Sequence, residues 1–455
     1  MRISHTDFSK GSVPAAVMKV ALPMIIAEFV NLLYNMVDRI YIGHIPGEGS
    51  IALTGLGICF PIISLISAFA RLFGFNGGAP LASMALGEKK EEEARNVLFT
   101  SFTLATITGL ILTLVVLIFI RPILYAFGSS DQTYVYARDY LAIYALGSVP
   151  VLITLTLNAF INSQGFATIG MITVLIGAVI NIILDPVLIF IFDMGVKGAA
   201  IATVFSQTCS AIFAFFFLRS RSAVLRITFS GMRLEAKRCV RIVALGTSGF
   251  VMGATNSIVQ IVCNKCALIW GGDLYVGVMT ILNSVREIFS TPINGITSGA
   301  SPVMSFNYGA KAPARVRKAS NFAMLSTLIF SSFVWLIVVL FPRQLSMLFT
   351  TEPSLLAASE PALRIYFFGF IFMSFQTAGQ QTFVSLGKAK PAIFFSLFRK
   401  VIIVVPLTIF LPYLFGMNGV LIAEPISNVI GGLAAYLTMR HIVFGELRRM
   451  EEGIR

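Results

Sequence analysis

Residues 77–95, GGAPLASMALGEKKEEEAR, return 222 positions later as GASPVMSFNYGAKAPARVR at 299–317. The echo sets Gly77 on Gly299, Pro80 on Pro302, Gly87 on Gly309, Lys89 on Lys311 and Arg95 on Arg317. A second echo lays SQGFA (163–167) on SLGKA (385–389). After one deletion, MGVKGAAIATVFSQ (194–207) falls on FGMNGVLIAEPISN (415–428). A chain that repeats over half its length encodes one architecture twice.

What repeats is membrane-spanning. Of the 455 residues 56% are hydrophobic and 12% charged, too little polar surface for a soluble protein of this size. Apolar runs of about 20 residues recur throughout, each long enough as a helix to cross about 30 Å of hydrocarbon. A β-barrel would alternate over about 10 residues instead. Breaks at charged or Gly/Pro-rich points predict twelve spans, near 18–43, 52–74, 96–120, 138–162, 169–192, 197–218, 241–270, 275–300, 320–341, 362–385, 392–415 and 418–440. The expected fold is therefore an all-α integral membrane protein: twelve transmembrane helices in two pseudo-two-fold-related six-helix bundles. Both halves start on the same side, so the relating axis runs along the membrane normal. The divisions read as an N-terminal lobe at 1–218, a basic cytoplasmic linker at 219–241 and a C-terminal lobe at 242–455. The start, MRISHTDFSKGSVP, has no cleavage pattern, and the first span reads as a retained anchor.

Charge gives the orientation. One set of segments carries Arg2, Lys10, Lys89, Lys90, Arg95, the run from Arg219 through Arg233 to Arg241, Lys311 to Lys318, Lys388, Lys390 and Arg440 to Arg455. The opposite loops carry only Arg121, Arg138, Lys197 and Arg343. The richer side is cytoplasmic and includes both termini. The net charge of +13 is thus topological, with no nucleic acid implied. GEKKEEEAR (87–95) reads as a solvated loop. Five cysteines form no evident disulfide framework, and the C-x-x-C of Cys263 and Cys266 has no second pair to make a metal site.

Polar residues inside the spans carry the function, because ionisable groups in hydrocarbon cost several kcal/mol and face interiors or wet cavities. In the first span Glu28, Asn31, Asn35 and Asp38 share one helix face, and the first three are candidate substrate-cavity residues. In the fifth, Asn181 and Asp185 are an i, i+4 pair, as are Asn158 and Asn162 in the fourth; Thr203 lies near the outer end of the sixth. At 1.5 Å per residue, Asp38 is about 28 Å, Asp185 about 24 Å and Asn181 about 18 Å from the cytoplasmic ends of their spans, and Thr203 about 9 Å from its outer end. Asn158 comes out nearer the cytoplasm. Two carboxylates with amide and hydroxyl oxygens make a site for Na⁺ or for a proton; the alternative is a hydrogen-bond network tying helices together.

The repeat discriminates. Asp38 falls on Gln260, Asn181 on Ile402, Asp185 on Pro406 and Thr203 on Glu424, so this acidic cluster occurs in one half only, whereas packing needs recur in both. In the second half Asn256, Gln260, Asn283, Glu287, Gln376 and Gln380 are candidate substrate-cavity residues. Glu287 either binds substrate or pairs with Arg286. No G-x-x-x-x-G-K-[ST] occurs, and the three histidines, His5, His44 and His441, form no hydrolase motif. An enzyme is not expected, no cofactor is implied, and the driving force is an ion gradient.

LPMIIAEFVNLLYNMVDRIYIGHI, the GGAPLASMALGEKK and GASPVMSFNYGAK pair, and NIILDPVLIFIFDMGVKGAAIATVFSQ together resemble the multidrug and toxic compound extrusion (MATE) family over essentially the entire chain. The resemblance implies two six-helix lobes around a central cleft and export of cationic amphipathic compounds in exchange for Na⁺ or H⁺. One prokaryotic branch is implied to hold its ion on residues matching Asp38, Asn158, Asn181, Asp185 and Thr203. Another uses a seventh-helix acid; that span here has none. Arg39 follows Asp38 and is placed to hold it ionised if it points that way. A monomer in the cell (inner) membrane is expected, with the lipid bilayer and small molecules as its partners. The alternative on the same architecture is a flippase for lipid-linked oligosaccharides, for which Arg71, Lys265, Arg286, Arg399 and Lys400 supply cationic groups and against which the acids argue.

Overall fold

The computed structural model describes residues 5–228 and 234–452. Arg2, Arg233 and Arg455, counted above for orientation, lie outside them. Among the described residues every regular element is helical. The spans are α1 Val13–Gly43, α2 Ile51–Gly87, α3 Glu91–Ile118, the bent pair α4 (Asp131–Leu146 and Ser148–Ser163), α5 Ala167–Ile191 and α6 Gly195–Arg219. A continuous helical assignment over Ala236–Gly309 is broken at Gly272, whose φ of 67° leaves the helical region. This gives α7 (236–271) and α8 (273–309). Then follow α9 Pro313–Leu340, the bent pair α10 (Pro353–Phe367 and Phe370–Ser385), α11 Ala389–Phe415 and α12 Met417–Glu451. All twelve expected spans are present. Their outward faces carry large apolar side chains such as Leu114, Ile118, Phe216 and Leu437, as lipid requires.

GEKKEEEAR differs from its reading as a loop. Only residues 88–90 are non-helical, and Glu91, Glu92 and Glu93 form the first turn of α3, where acids complement the helix dipole. The linker is likewise shorter than 219–241, because helix resumes at Ala236.

The chain forms two compact units, Met1–Asp7 with Ile26–Gly246, and Phe8–Ile25 with Thr247–Arg455. The first part of α1 therefore clusters with the second unit, and the first part of α7 with the first. Glycines make these seats. A Cβ on Gly77 would stand 2.7 Å from the Ile242 carbonyl oxygen, and one on Gly299 would stand 2.5 Å from the Ala21 Cα. The same repeat position thus receives the opening turns of the seventh span in one unit and of the first span in the other.

Hydrogen bonds repeat as well. Ser83 Oγ donates to the Ser163 carbonyl (3.1 Å) and Ser305 Oγ to the Ser385 carbonyl (2.7 Å). The turns after α2 and α8 put Lys89 and Lys311 at φ of 60° and 54°. Each is closed by a backbone bond one residue later, Lys90 to Ala85 and Ala312 to Asn307, both 2.9 Å. In the first unit α6 packs on α5 and on the second half of α4; in the second unit α12 packs on α11 and on the second half of α10. Val259, Leu282, Val285, Phe367, Phe370 and Leu421 fill the second unit's core.

Candidate functional site

Asp38 lies in the part of α1 that belongs to the first unit, and the same unit brings α5 and α6 to it. Asp185 is fully buried, Asn181 is 1% exposed, Thr203 6% and Asp38 8%. Asn181 is the hub. Its Nδ2 donates to Asp185 Oδ1 at 3.1 Å and reaches Thr203 Oγ1 at 3.4 Å. Asp38 and Asp185 are near enough to act electrostatically on one another.

Three buried oxygens in this cluster, Asp38 Oδ1, Asp185 Oδ2 and Asn181 Oδ1, accept no hydrogen bond among the described residues. Buried acceptors left without donors are rare and costly. Hard oxygens from two helices, two of them on carboxylates, are the donor set of a small cation, or of a proton shared between acids. Local backbone aids the arrangement: Pro186 follows Asp185 directly, and the wide π turn Val187–Ile191 comes next. Proline removes a backbone donor and favours a bend, and such turns concentrate at functional sites.

Sequence reasoning missed the tyrosines. Tyr34 lies beside Gln207, and Tyr140 beside Thr203, and both feel the Asp38 charge. Tyr140 and Tyr144 are buried and their rings stack at 6.1 Å. The available signal was helical spacing, since Tyr34 precedes Asp38 by four and Gln207 follows Thr203 by four.

The other first-span candidates grade outward: Asn35 and Asn31 are half-buried, with Asn35 Nδ2 donating to the Asn31 carbonyl at 2.6 Å, and Glu28 is exposed. Arg39 makes no ion pair with Asp38 among the described residues. Its guanidinium sits over the Phe60 ring, 4.1 Å from the centroid.

Asn158 is a correction. Its Nδ2 donates to the Gly170 carbonyl at 2.8 Å and its Oδ1 accepts from Asn162. Gly170 is eleven residues before Asn181, about 16 Å along α5, so Asn158 does not join the acid cluster. Its repeat partner Gln380 donates to the carbonyl of Ala392, the partner of Gly170, again at 2.8 Å. An interaction found in both halves is a clamp of the fold. Gln380 is corrected with it, since it is buried and fastens α10 to α11. Gln376 is buried too; its Nε2 reaches the Phe395 carbonyl at 3.5 Å, and its Oε1 accepts from no donor among the described residues. Asn256, Gln260 and Glu287 are exposed, and Asn283 is half-buried. Arg286 does not pair with Glu287. It reaches Glu424 Oε1 at 3.4 Å and Asn283 Oδ1 at 3.3 Å.

A profile of the MatE family matches residues 23–187 and 249–410, most of both halves. The chain belongs to the MATE family. This MATE chain is 24% identical over 437 residues to the multidrug export protein MepA of Staphylococcus saprophyticus, covering 94% of each. To MepA of Staphylococcus aureus it is 25% identical over 439 residues, again covering 94% of each. An outward-facing multidrug resistance MATE family transporter of the MOP superfamily superposes with a TM-score of 0.92 at 23% identity, over 98% of this chain and 99% of that one. At that identity the likeness carries the fold, and the site rests on the geometry above.

Proposed function

We propose that the chain is an antiporter that exports cationic amphipathic compounds by alternating access, driven by Na⁺ or H⁺ taken up on Asp38, Asn181, Asp185 and Thr203. The observation that carries this reading is the pair of buried carboxylates with acceptor oxygens that no donor among the described residues satisfies. Resemblance to the multidrug export proteins MepA supports the substrate class. Loading neutralises charge in a low-dielectric setting and so changes which helix packing is favoured. Pro186, next to Asp185, offers α5 a point at which to bend; Pro23 and Pro292 offer the same in α1 and α8. Exposed Glu28 and Glu287 offer acceptors to a cationic substrate. The protein acts in the cell membrane, with both termini on the cytoplasmic side where its basic loops lie.

The test is dye efflux from proteoliposomes under separately imposed Na⁺ and pH gradients. One of the two gradients should accelerate efflux severalfold. Equal efflux with neither gradient present would overturn ion coupling. Flipping of lipid-linked oligosaccharides is the second reading, favoured by the buried basic residues Arg399 and Lys400 with the partly exposed Arg286 beside them; restoration of a cell-wall precursor defect, without dye efflux, would select it.

A further inference from the structure

The second unit buries the opposite charge at the matched positions. Glu424 stands where Thr203 stands in the first unit, and its Oε1 accepts from Arg399 Nη1 at 3.0 Å and from Arg286 Nη1 at 3.4 Å. Arg399 Nη1 also donates to Asn428 Oδ1 at 2.6 Å. Lys400, next in the π turn Phe398–Val404, donates to the Met252 carbonyl at 2.9 Å and lies within electrostatic reach of both arginines and Glu424. Arg399 is 8% exposed, Lys400 6% and Glu424 5%. The remaining titratable neighbours are Tyr366 and Cys263, both buried, and Glu287, which is exposed and makes no ion pair with Arg286 among the described residues. Two arginines and a lysine therefore surround one carboxylate.

Packing does not demand these charges. By the repeat, Arg286, Arg399 and Lys400 correspond to Ser64, Gly177 and Ala178. A Cβ on Gly177 would meet Ser210 Oγ at 2.6 Å. In the second unit the relation is inverted, because a Cβ on Gly431, the partner of Ser210, would stand 2.7 Å from Arg399 Cγ. The second unit has thus given up a side chain on α12 to seat a guanidinium. Buried cations in excess of their acids are costly unless a further anion completes them. Arg399 Nε is buried and donates to nothing among the described residues. Arg286, its side chain 29% exposed, is the most exposed of the three.

We propose that Arg286, Arg399 and Lys400 form an oxyanion site that takes the carboxylate or phosphate group of a transported solute, so that zwitterionic amphipaths bind better than purely cationic ones. This rests on the export reading and refines its substrate class. Charge-assisted hydrogen bonds to such a group are the strong kind.

The test is equilibrium binding to the full-length detergent-purified protein, read by fluorescence anisotropy with rhodamine B, a zwitterion, and its ethyl ester, a cation of the same ring system. No gradient is present, so the outcome does not depend on whether ion coupling is right. Rhodamine B should bind about tenfold or more tighter than the ester. Lys400→Met and, separately, Arg286→Gln should each remove most of that preference while leaving ester affinity in place. Inorganic phosphate should displace rhodamine B but not the ester. Arg286 is half-exposed, so its variant keeps the test open if the other fails to fold. Equal affinity for the two dyes, or a preference that survives both substitutions, would overturn the proposal. Displacement by dioleoylphosphatidylglycerol but not by inorganic phosphate would assign the site to lipid headgroups and overturn the solute.

Discussion

Asp38→Asn separates an ion site from a structural network by the sign of its effect on stability. The substitution keeps shape and removes one of two buried charges that act on each other. Opposite charges about 4 Å apart at an effective dielectric of about 20 attract by about 4 kcal/mol. Halving this for water access leaves about 2 kcal/mol lost from cation binding, about thirtyfold in affinity. The ion-free protein should move the other way. Asp38 Oδ1 accepts no hydrogen bond among the described residues, so neutralising the group relieves repulsion with Asp185 and gives up only the attraction of Arg39, which makes no ion pair with it there. In alkaline buffer with choline as the sole cation, the variant should therefore melt at or above the wild-type temperature, and added Na⁺ should stabilise it far less than wild type. The assay is thermal unfolding in detergent across a Na⁺ titration, repeated as a pH titration in choline for the proton case. A variant that melts well below wild type without Na⁺, yet keeps a wild-type response to Na⁺ and to pH, would refute the reasoning.

Asn158→Ala and Gln380→Ala should each cost about 1–2 kcal/mol of stability, having cut matched 2.8 Å clamps, and should leave the ion dependence of efflux unchanged; a loss of ion dependence in the first would return Asn158 to the site. Gly299→Ala should destabilise by about 1–3 kcal/mol because its Cβ meets the Ala21 backbone, whereas Gly57→Ala, with open space around it, should be neutral or stabilising in parallel melts. Glu287→Gln should shift stability by less than about 0.5 kcal/mol, since the exposed group holds no ion pair, while weakening cationic dye binding in anisotropy titrations.

The twelve spans were legible because lipid forces each helix to be long and apolar, and because the repeat supplied two readings of every element. The acid cluster was legible for a related reason: a carboxylate at Asp38 or Asp185 is too costly in hydrocarbon to be accidental. Asn158 and Gln380 misled because an amide that faces a wet cavity and an amide that clamps a neighbouring helix carbonyl have the same polarity and the same spacing. The repeat alone held the answer for Asn158, in the amide at both 158 and 380. Pairing of Glu287 with Arg286, one of its two readings, rested on adjacency, yet neighbours on a helix point about 100° apart and the guanidinium goes across to Glu424. The seating of the opening turns of α1 and α7 was out of reach, since it depends on which backbone meets Gly77 and Gly299, not on any property of those turns themselves.

Antiport is reciprocal, so a dye gradient must move the ion. Proteoliposomes given an ethidium gradient and no ion gradient should take up radiosodium, or shift internal pH, in the direction opposite to the dye with the wild-type protein, and should show no such movement with Asp185→Asn. Dye-driven ion movement that persists in Asp185→Asn would contradict the central claim that the first unit's acids carry the coupling ion.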